Sequence, residues 1–256
     1  MEELDRLQQA MQLLHWKRPE SVPFPSVQKR YVGRRPLKAA SGDSPPTYMI
    51  QEVPDDRQEE AMRLMADVFL REEPLTAAFG IRDDPEALEE IRLMWQVLLS
   101  QRVSVCAMLE RPDGSAGPLV AVNILMVSTP GPDPTPQSER LRRIVSVVRK
   151  FEALVQPDVF ERFGVPEYLS AVGLVVAREH RGQGLGEQLL RARWQLGGAL
   201  GLRATSTMFT GTASQLLASR TGFHTLAEAK YADQEEPAVR SITSASCMKI
   251  MAAALE

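Results

Sequence analysis

Cysteine and histidine are scarce. The 256 residues hold two cysteines, Cys106 and Cys247, and three histidines, His15, His180 and His224. None of these stands with other ligand types at metal-binding spacing, so no metal site is read from the sequence. Each cysteine falls in a strand-like run, far from the other. Buried free thiols in a reducing cytosol are the expected state, with a disulfide as the alternative. Long apolar runs are absent, which excludes a membrane-spanning helix by hydropathy. The opening "MEELDRLQQAMQLL" begins acidic and has no continuous apolar region, so it does not read as a secretory signal. Excess charge is absent too: 30 basic residues against 33 acidic ones give a net charge of −3. No general attraction to nucleic acid or to membranes follows. A cytoplasmic protein, monomeric or weakly dimeric, is the expectation.

What is present is ordinary for a globular chain, 44% apolar and 25% charged. The length suits one large domain or two small ones with a sizeable core. Leu4, Leu7, Met11 and Leu14 predict a short helix over residues 1–16. Residues 17–46 then carry prolines at 19, 23, 25, 36, 45 and 46 among clustered Lys and Arg. This stretch reads as a flexible basic arm, either a solvated linker or a segment that docks on an acidic partner or on the chain's own surface. Residues 1–46 are therefore expected to be dispensable for folding of a domain spanning 47–256.

From Tyr48 onward the pattern alternates. "TYMIQEV" predicts a strand, and Asp55 or Asp56 a helix cap. "DDPEALEEIRLMWQVLLSQ" predicts a helix with Leu88, Ile91, Trp95, Leu98 and Leu99 inward. "VSVCAMLE" and "PLVAVNILMV" predict paired strands, the second buried on both faces. "SERLRRIVSVVRKFEAL" predicts a helix with Leu141, Ile144, Val148 and Leu154 on one side. Strand "EYLSAVGLVV", helix "LGEQLLRARWQLGGALG", strand "RATSTMF", helix "ASQLLASR" and strands "HTLAEAKY" and "SASCMKIM" follow. About seven strands and five helices make an α/β fold of three layers, a central sheet flanked by helices.

The stretch "VVAREHRGQGLGEQLL" places three glycines between a strand and a helix. Unpaired amides and a partial positive charge mark the first turn of a helix. Glycines let an anion reach them, so "RGQGLG" is a candidate pyrophosphate loop; a plain tight turn is the other reading. The spacing breaks the dinucleotide fingerprint, since Glu187 stands where a third glycine is needed. No Gly-Lys-Ser/Thr ending marks an ATP loop. What remains is R-x-x-G-x-G, with Arg181, Gly184 and Gly186.

This segment resembles the acetyl-CoA signature of the GNAT superfamily of N-acetyltransferases. Two further stretches resemble the arylalkylamine N-acetyltransferases of insects and their invertebrate relatives. They are "FLREEPLTAAFG" (69–80) and "TGTASQLLASRTGF" with "AKYAD" (210–233). The resemblance covers roughly residues 48–252. It implies a mixed sheet splayed at the CoA-binding strand and an acetyl-CoA-dependent transferase with no metal. It implies that Leu174, Val175 and Val176 pair with the pantetheine arm through their backbone. It further implies that Arg181, Gly182, Gln183, Gly184, Leu185 and Gly186 hold the pyrophosphate. Arg181 either adds charge there or is a solvated loop arginine.

The resemblance also implies that Glu73 is the general base for the attacking amine. The tyrosine that many superfamily members place four residues before the Gly-Phe turn is here Ala218. Ser214 matches a serine of the related amine acetyltransferases and becomes the candidate donor on the thiol or substrate side; a helix cap is its other reading. Phe69, Leu75, Phe79 and Met208 are candidates for an apolar amine pocket, or simply core. The implied reaction is acetyl transfer from acetyl-CoA to a small primary amine, an arylalkylamine above all. Two alternatives stand beside it: acylation of a polyamine, amino acid or protein amine, or transfer of a longer acyl chain; and a CoA-binding module without turnover.

Overall fold

The computed structural model describes residues 16–37, 44–131 and 135–255. The helix expected over residues 1–16 lies, except for Trp16, outside them. Eight strands form one sheet in the order β1-β2-β3-β4-β5-β6-β8-β7. They are β1 (Gln28–Val32), β2 (Thr47–Glu52), β3 (Val105–Glu110), β4 (Ala116–Ser128), β5 (Tyr168–Val176), β6 (Ala204–Phe209), β7 (His224–Lys230) and β8 (Cys247–Ala254). All neighbours are antiparallel except β5 and β6. The sheet thus has eight strands rather than about seven. The additional one, β1, comes from the basic stretch expected to be a flexible arm.

One face of the sheet is covered by a helical segment built of α1 (Gln58–Leu64), a π-helical turn (Met65–Phe69) and α2 (Leu70–Glu72), followed by α3 (Pro74–Ala78). The helices α4 (Pro85–Ser100), α5 (Glu139–Glu152) and α6 (Val159–Phe163) come next in the chain. The other face carries α7 (Leu185–Ala199), with α8 (Thr212–Arg220) against β6 and β8; the short α9 (Pro237–Arg240) follows β7. Strand alternation divides the core accordingly. Cys106, Met108, Val122 and Ile124 join Trp95 and Leu98 on one side. Val105, Ala107, Ala121 and Leu125 join Leu185, Leu189 and Leu196 on the other. Each Val, Leu, Ile or Met among these, once buried, contributes about 1.5–3 kcal/mol. Both cysteines are free and buried.

Helix α4 starts as its sequence dictates: Asp84 accepts from the Ala87 amide at 3.1 Å and Pro85 occupies the first turn. Asp55 and Asp56 do not cap a helix; they begin a 3₁₀ turn without a side-chain cap. In α5 the buried residues are Leu141, Val147 and Phe151, and Leu154 is 60% exposed. The helix ends at Glu152, so Leu154 has left its period. No helix of the described residues is long and apolar enough to cross a membrane.

The arm is fastened by a buried charge. Glu52 at the end of β2 is fully buried. It accepts from Arg18 Nη2 at 2.9 Å, the Ser26 amide at 3.0 Å, the Ser26 hydroxyl at 2.7 Å and the Val27 amide at 2.8 Å. Arg18 also donates to the carbonyls of Arg102 and Pro23. Trp16 and Val27 pack into the α7-side core. Residues 16–37 are therefore packed on the chain's own surface, one of the two readings the sequence left open for this stretch. Removing one partner of a buried, hydrogen-bonded pair costs about 3–5 kcal/mol. Glu52→Ala is expected to lower the unfolding free energy in urea by about that amount, and deletion of 1–46 to yield a chain without a cooperative transition. A Glu52→Ala transition that coincides with wild type would contradict the clasp.

Candidate functional site

The site begins where two strands part. β5 and β6 run parallel and pair at Leu169↔Thr205 alone. β5 lies inside the sheet, between β4 and β6, yet its burial pattern leaves seven of nine residues half-exposed. Its neighbour β4 is buried over most of its length. This exposure, together with the single β5–β6 pair, fits a sheet that opens beside β5. The β4–β5 register helps to open it: Ile124 pairs with Gly173 and Leu125 with Ala171, so Val172 is bulged out. A bulge bends and twists its strand. Asn123 braces it, donating from Nδ2 to the Gly173 carbonyl at 2.8 Å. The buried Asn123 Oδ1 has no partner among the described residues. Gly173 lets the covering turn close on β5, since a Cβ there would lie 2.7 Å from Met65 Cε and 2.8 Å from Phe69 Cζ.

The glycine loop stands at the open end of β5. Gly182 and Gly184 have φ of 77° and 86°, the left-handed region. Gly184 precedes α7 without any side-chain cap, and the first intrahelical bond runs from the Gln188 amide to the Gly184 carbonyl. The amides of Leu185, Gly186 and Glu187 are thus the helix's unsatisfied donors, with the partial positive charge of a 15-residue helix behind them. This is the arrangement that receives phosphate oxygens.

Three side chains, two from the loop and one from β1, serve it from behind. Gln183 is buried; its amide oxygen accepts from the Arg34 and Arg35 amides at 2.9 and 3.2 Å, and its nitrogen donates to the Arg35 carbonyl at 2.9 Å. Tyr31 donates its hydroxyl to the Gln183 carbonyl at 2.7 Å. Arg181 donates to the Val176 carbonyl at 3.2 Å and pairs with Glu72, which also holds Arg178 at 2.7 Å. Leu185 is a core residue. Only backbone groups of Gln183 and Leu185 are left for an anion, and the Arg181 guanidinium is already engaged. Burial pushes Glu72 up, but the hydrogen bonds and charges of Arg178 and Arg181 outweigh it and hold the carboxyl below its usual range. Exposed pairs of this kind contribute only about 0–1 kcal/mol. Their effect is positional: they tie the turn at Glu73 to the loop.

Glu73 is the N-cap of α3. It accepts from the Leu75 amide at 3.0 Å and the Thr76 amide at 2.7 Å, with Pro74 fixing the first turn. Its charge reaches Tyr231. Burial first, then Glu73 and Cys247, push the Tyr231 hydroxyl above its usual range, so it stays protonated. That hydroxyl donates to the Thr210 carbonyl at 2.7 Å, just before α8. Ser214 is in the first turn of α8, but Gly211 is the cap residue; Ser214 donates its hydroxyl to the Gly211 carbonyl at 2.8 Å. Tyr231 is therefore tied by hydrogen bonding to the turn before the Ser214 helix.

Leu75 and Phe79 are 3% and 5% exposed and belong to the main core. Phe69, over Gly173, and Met208, on β6, are half-buried beside it. The residues that sequence reasoning did not assign are Glu72, Tyr231 and the arm residue Tyr31; Gln183 was assigned to the pyrophosphate, but its side chain is spent on the arm. Only Glu72 and Tyr231 carried a signal, since both lie inside the quoted stretches.

Neither family models nor curated proteins gave a match to the chain. Solved structures did. A yellow fever mosquito protein assigned as arylalkylamine N-acetyltransferase 7 is 30% identical, with a TM-score of 0.83 over 94% of this chain and 100% of that one. Arylalkylamine N-acetyltransferase 2 from Aedes aegypti is 20% identical, with a TM-score of 0.71 over 82% and 99%. A Drosophila melanogaster polyamine N-acetyltransferase that forms N-acetylagmatine is 20% identical, at 0.65 over 81% and 100%. The last two share the fold. The first shows that the chain belongs to the insect-type arylalkylamine N-acetyltransferases of the GNAT superfamily.

A Cβ at Gly184 would lie 2.5 Å from the Tyr31 hydroxyl and 2.8 Å from Arg34 Nε. The left-handed conformation adds about 1–2 kcal/mol for any other residue. Relief by loop movement is expected to raise the KM for acetyl-CoA in Gly184→Ala about tenfold, with kcat at saturating donor little changed. An unchanged KM in steady-state assays would show that the loop does not hold the donor.

Proposed function

We propose that the chain transfers an acetyl group from acetyl-CoA to the primary amine of an arylalkylamine by direct attack in a ternary complex. One observation carries the reading: a half-exposed interior strand leads straight into a capless, glycine-lined helix N-terminus. The residues fit acetyl-CoA. The free edge of β5 at Leu174, Val175 and Val176 suits an extended arm with amide groups, as an added strand would. The amides of Gly182 to Glu187 suit its pyrophosphate. When bound, acetyl-CoA supplies an acyl group as a thioester.

The chain's own residues do the rest. Glu73, fixed by Pro74 and two amides, takes the proton of the amine, directly or through water. Amines of this type have pKa values near ~10, so a base is needed at neutral pH. Ser214 serves the thiol side: its hydroxyl now points to the Gly211 carbonyl and can rotate toward a sulfur. Tyr231 holds the turn before α8 through the Thr210 carbonyl. Phe69 and Met208 give the amine's ring an apolar wall. The free cysteines agree with a reducing, cytoplasmic setting.

The test is thiol release from acetyl-CoA against tyramine, dopamine, serotonin, tryptamine, spermidine, agmatine and a lysine peptide. Saturable turnover is expected with the arylalkylamines. Glu73→Gln is expected to lower kcat about 10²-fold or more while CoA binds as before. Full activity in that variant would remove Glu73 from the mechanism. Turnover with spermidine or agmatine alone would move the substrate class to polyamines.

A further inference from the structure

A fully buried arginine closes the fork between β5 and β6. Arg193 projects from the buried side of α7, 0% exposed, among leucines. Its Nε donates to Thr205 Oγ1 at 2.8 Å. Its Nη2 donates to the Leu169 carbonyl at 2.9 Å, the Ser206 carbonyl at 3.1 Å and Thr207 Oγ1 at 2.9 Å. These oxygens belong to both strands, at and just beyond their single paired position. Among the described residues no carboxylate pairs with this guanidinium; its neighbours are strand oxygens and, at 5.5 Å, the Phe223 ring.

A buried cation without a counter-ion is costly and persists only where its hydrogen bonds are well made. Here the hydrogen bonds have a consequence for the strands. In a continuing parallel ladder, main-chain donors of one strand would reach the carbonyls of the other. At this fork the guanidinium takes the Leu169 and Ser206 carbonyls instead. Thr205 Oγ1 adds a further bond to the Leu169 carbonyl at 2.7 Å. The ladder stops there, and the strands stay tied at their base while β5 keeps an open edge.

We propose that Arg193 is a positioning residue for the acyl donor: it holds the β5–β6 fork at the width that seats the thioester end of the pantetheine arm. The proposal rests on the acetyl-CoA reading. It differs from the glycine loop in what it recognises, since the fork meets the pantetheine end and the loop meets the pyrophosphate.

The experiment uses the full chain and three variants. Arg193→Met removes the bridge, Arg193→Lys keeps a charge but cannot span both strands, and Thr207→Val removes one contact from a half-buried, isosteric position. Calorimetry gives the Kd for CoA, and steady-state assays give KM values for acetyl-CoA, acetyl-pantetheine and the amine. Arg193→Met and Arg193→Lys are expected to raise the Kd for CoA, and both donor KM values alike, about tenfold. The amine KM is expected to stay within about twofold of wild type, and Thr207→Val to shift the donor values about threefold. A general loss of structure would move the amine KM and the donor KM together. If the Arg193 variants do not fold, Thr207→Val decides. Wild-type CoA binding with unchanged donor constants in the folded variants overturns the proposal alone. A wild-type chain that binds no CoA overturns it together with the acetyl-transfer reading.

Discussion

Two parallel strands that pair once and then separate set the conditions for everything around them. Backbone donors and acceptors rarely go unpaired in an interior strand, because burial without a partner is costly. β5 avoids that cost by leaving its edge half-exposed, so the sheet contains a slot at its centre. The bulge at Val172, the Asn123 brace and the buried Arg193 all act on the same strand. Each fixes the slot's shape by hydrogen bonding. None fills it.

The chemistry is arranged around the two ends of that slot. At the open end, α7 presents its bare amides. At its side, the Glu72 ion pairs fasten the Glu73–Pro74 turn to the loop. The arm secures the loop from the outside, through Gln183 and Tyr31, and is itself secured by Glu52. The position of residues 28–35 and the geometry of the loop are therefore linked through these hydrogen bonds. The basic residues of this stretch are spent partly on the protein's own surface. Arg18 meets Glu52, Arg30 meets Glu110 and Arg34 meets Glu187.

Much of this was legible in the sequence. The strand–glycines–helix pattern located the turn into α7 with its bare amides, because glycine readily adopts the left-handed angles at 182 and 184. The stripe Ile91, Trp95 and Leu98 located α4 through its period. The Glu-Pro pair located a fixed carboxylate. What was not legible depended on contacts far apart in sequence. β1 is short and polar, and it becomes a strand because Glu52 and β2 hold it. Gln183 reads as a loop residue and turns out to be a buried latch, since its partners lie about 150 positions away. Nothing in "LLRARW" sets Arg193 apart from Arg191; its burial follows from the fork, which no local pattern encodes. Leu75 and Phe79 have the right chemistry for a substrate pocket, but α3 turns them into the core.

Hydrogen exchange with and without CoA tests the central claim most directly, because it reads the backbone groups themselves. If the slot and the loop receive the donor, CoA is expected to slow exchange in peptides covering 170–176 and 181–187. Peptides from β7 and α5 are expected to stay unchanged. Tight CoA binding with protection elsewhere, and none along β5, would contradict the account.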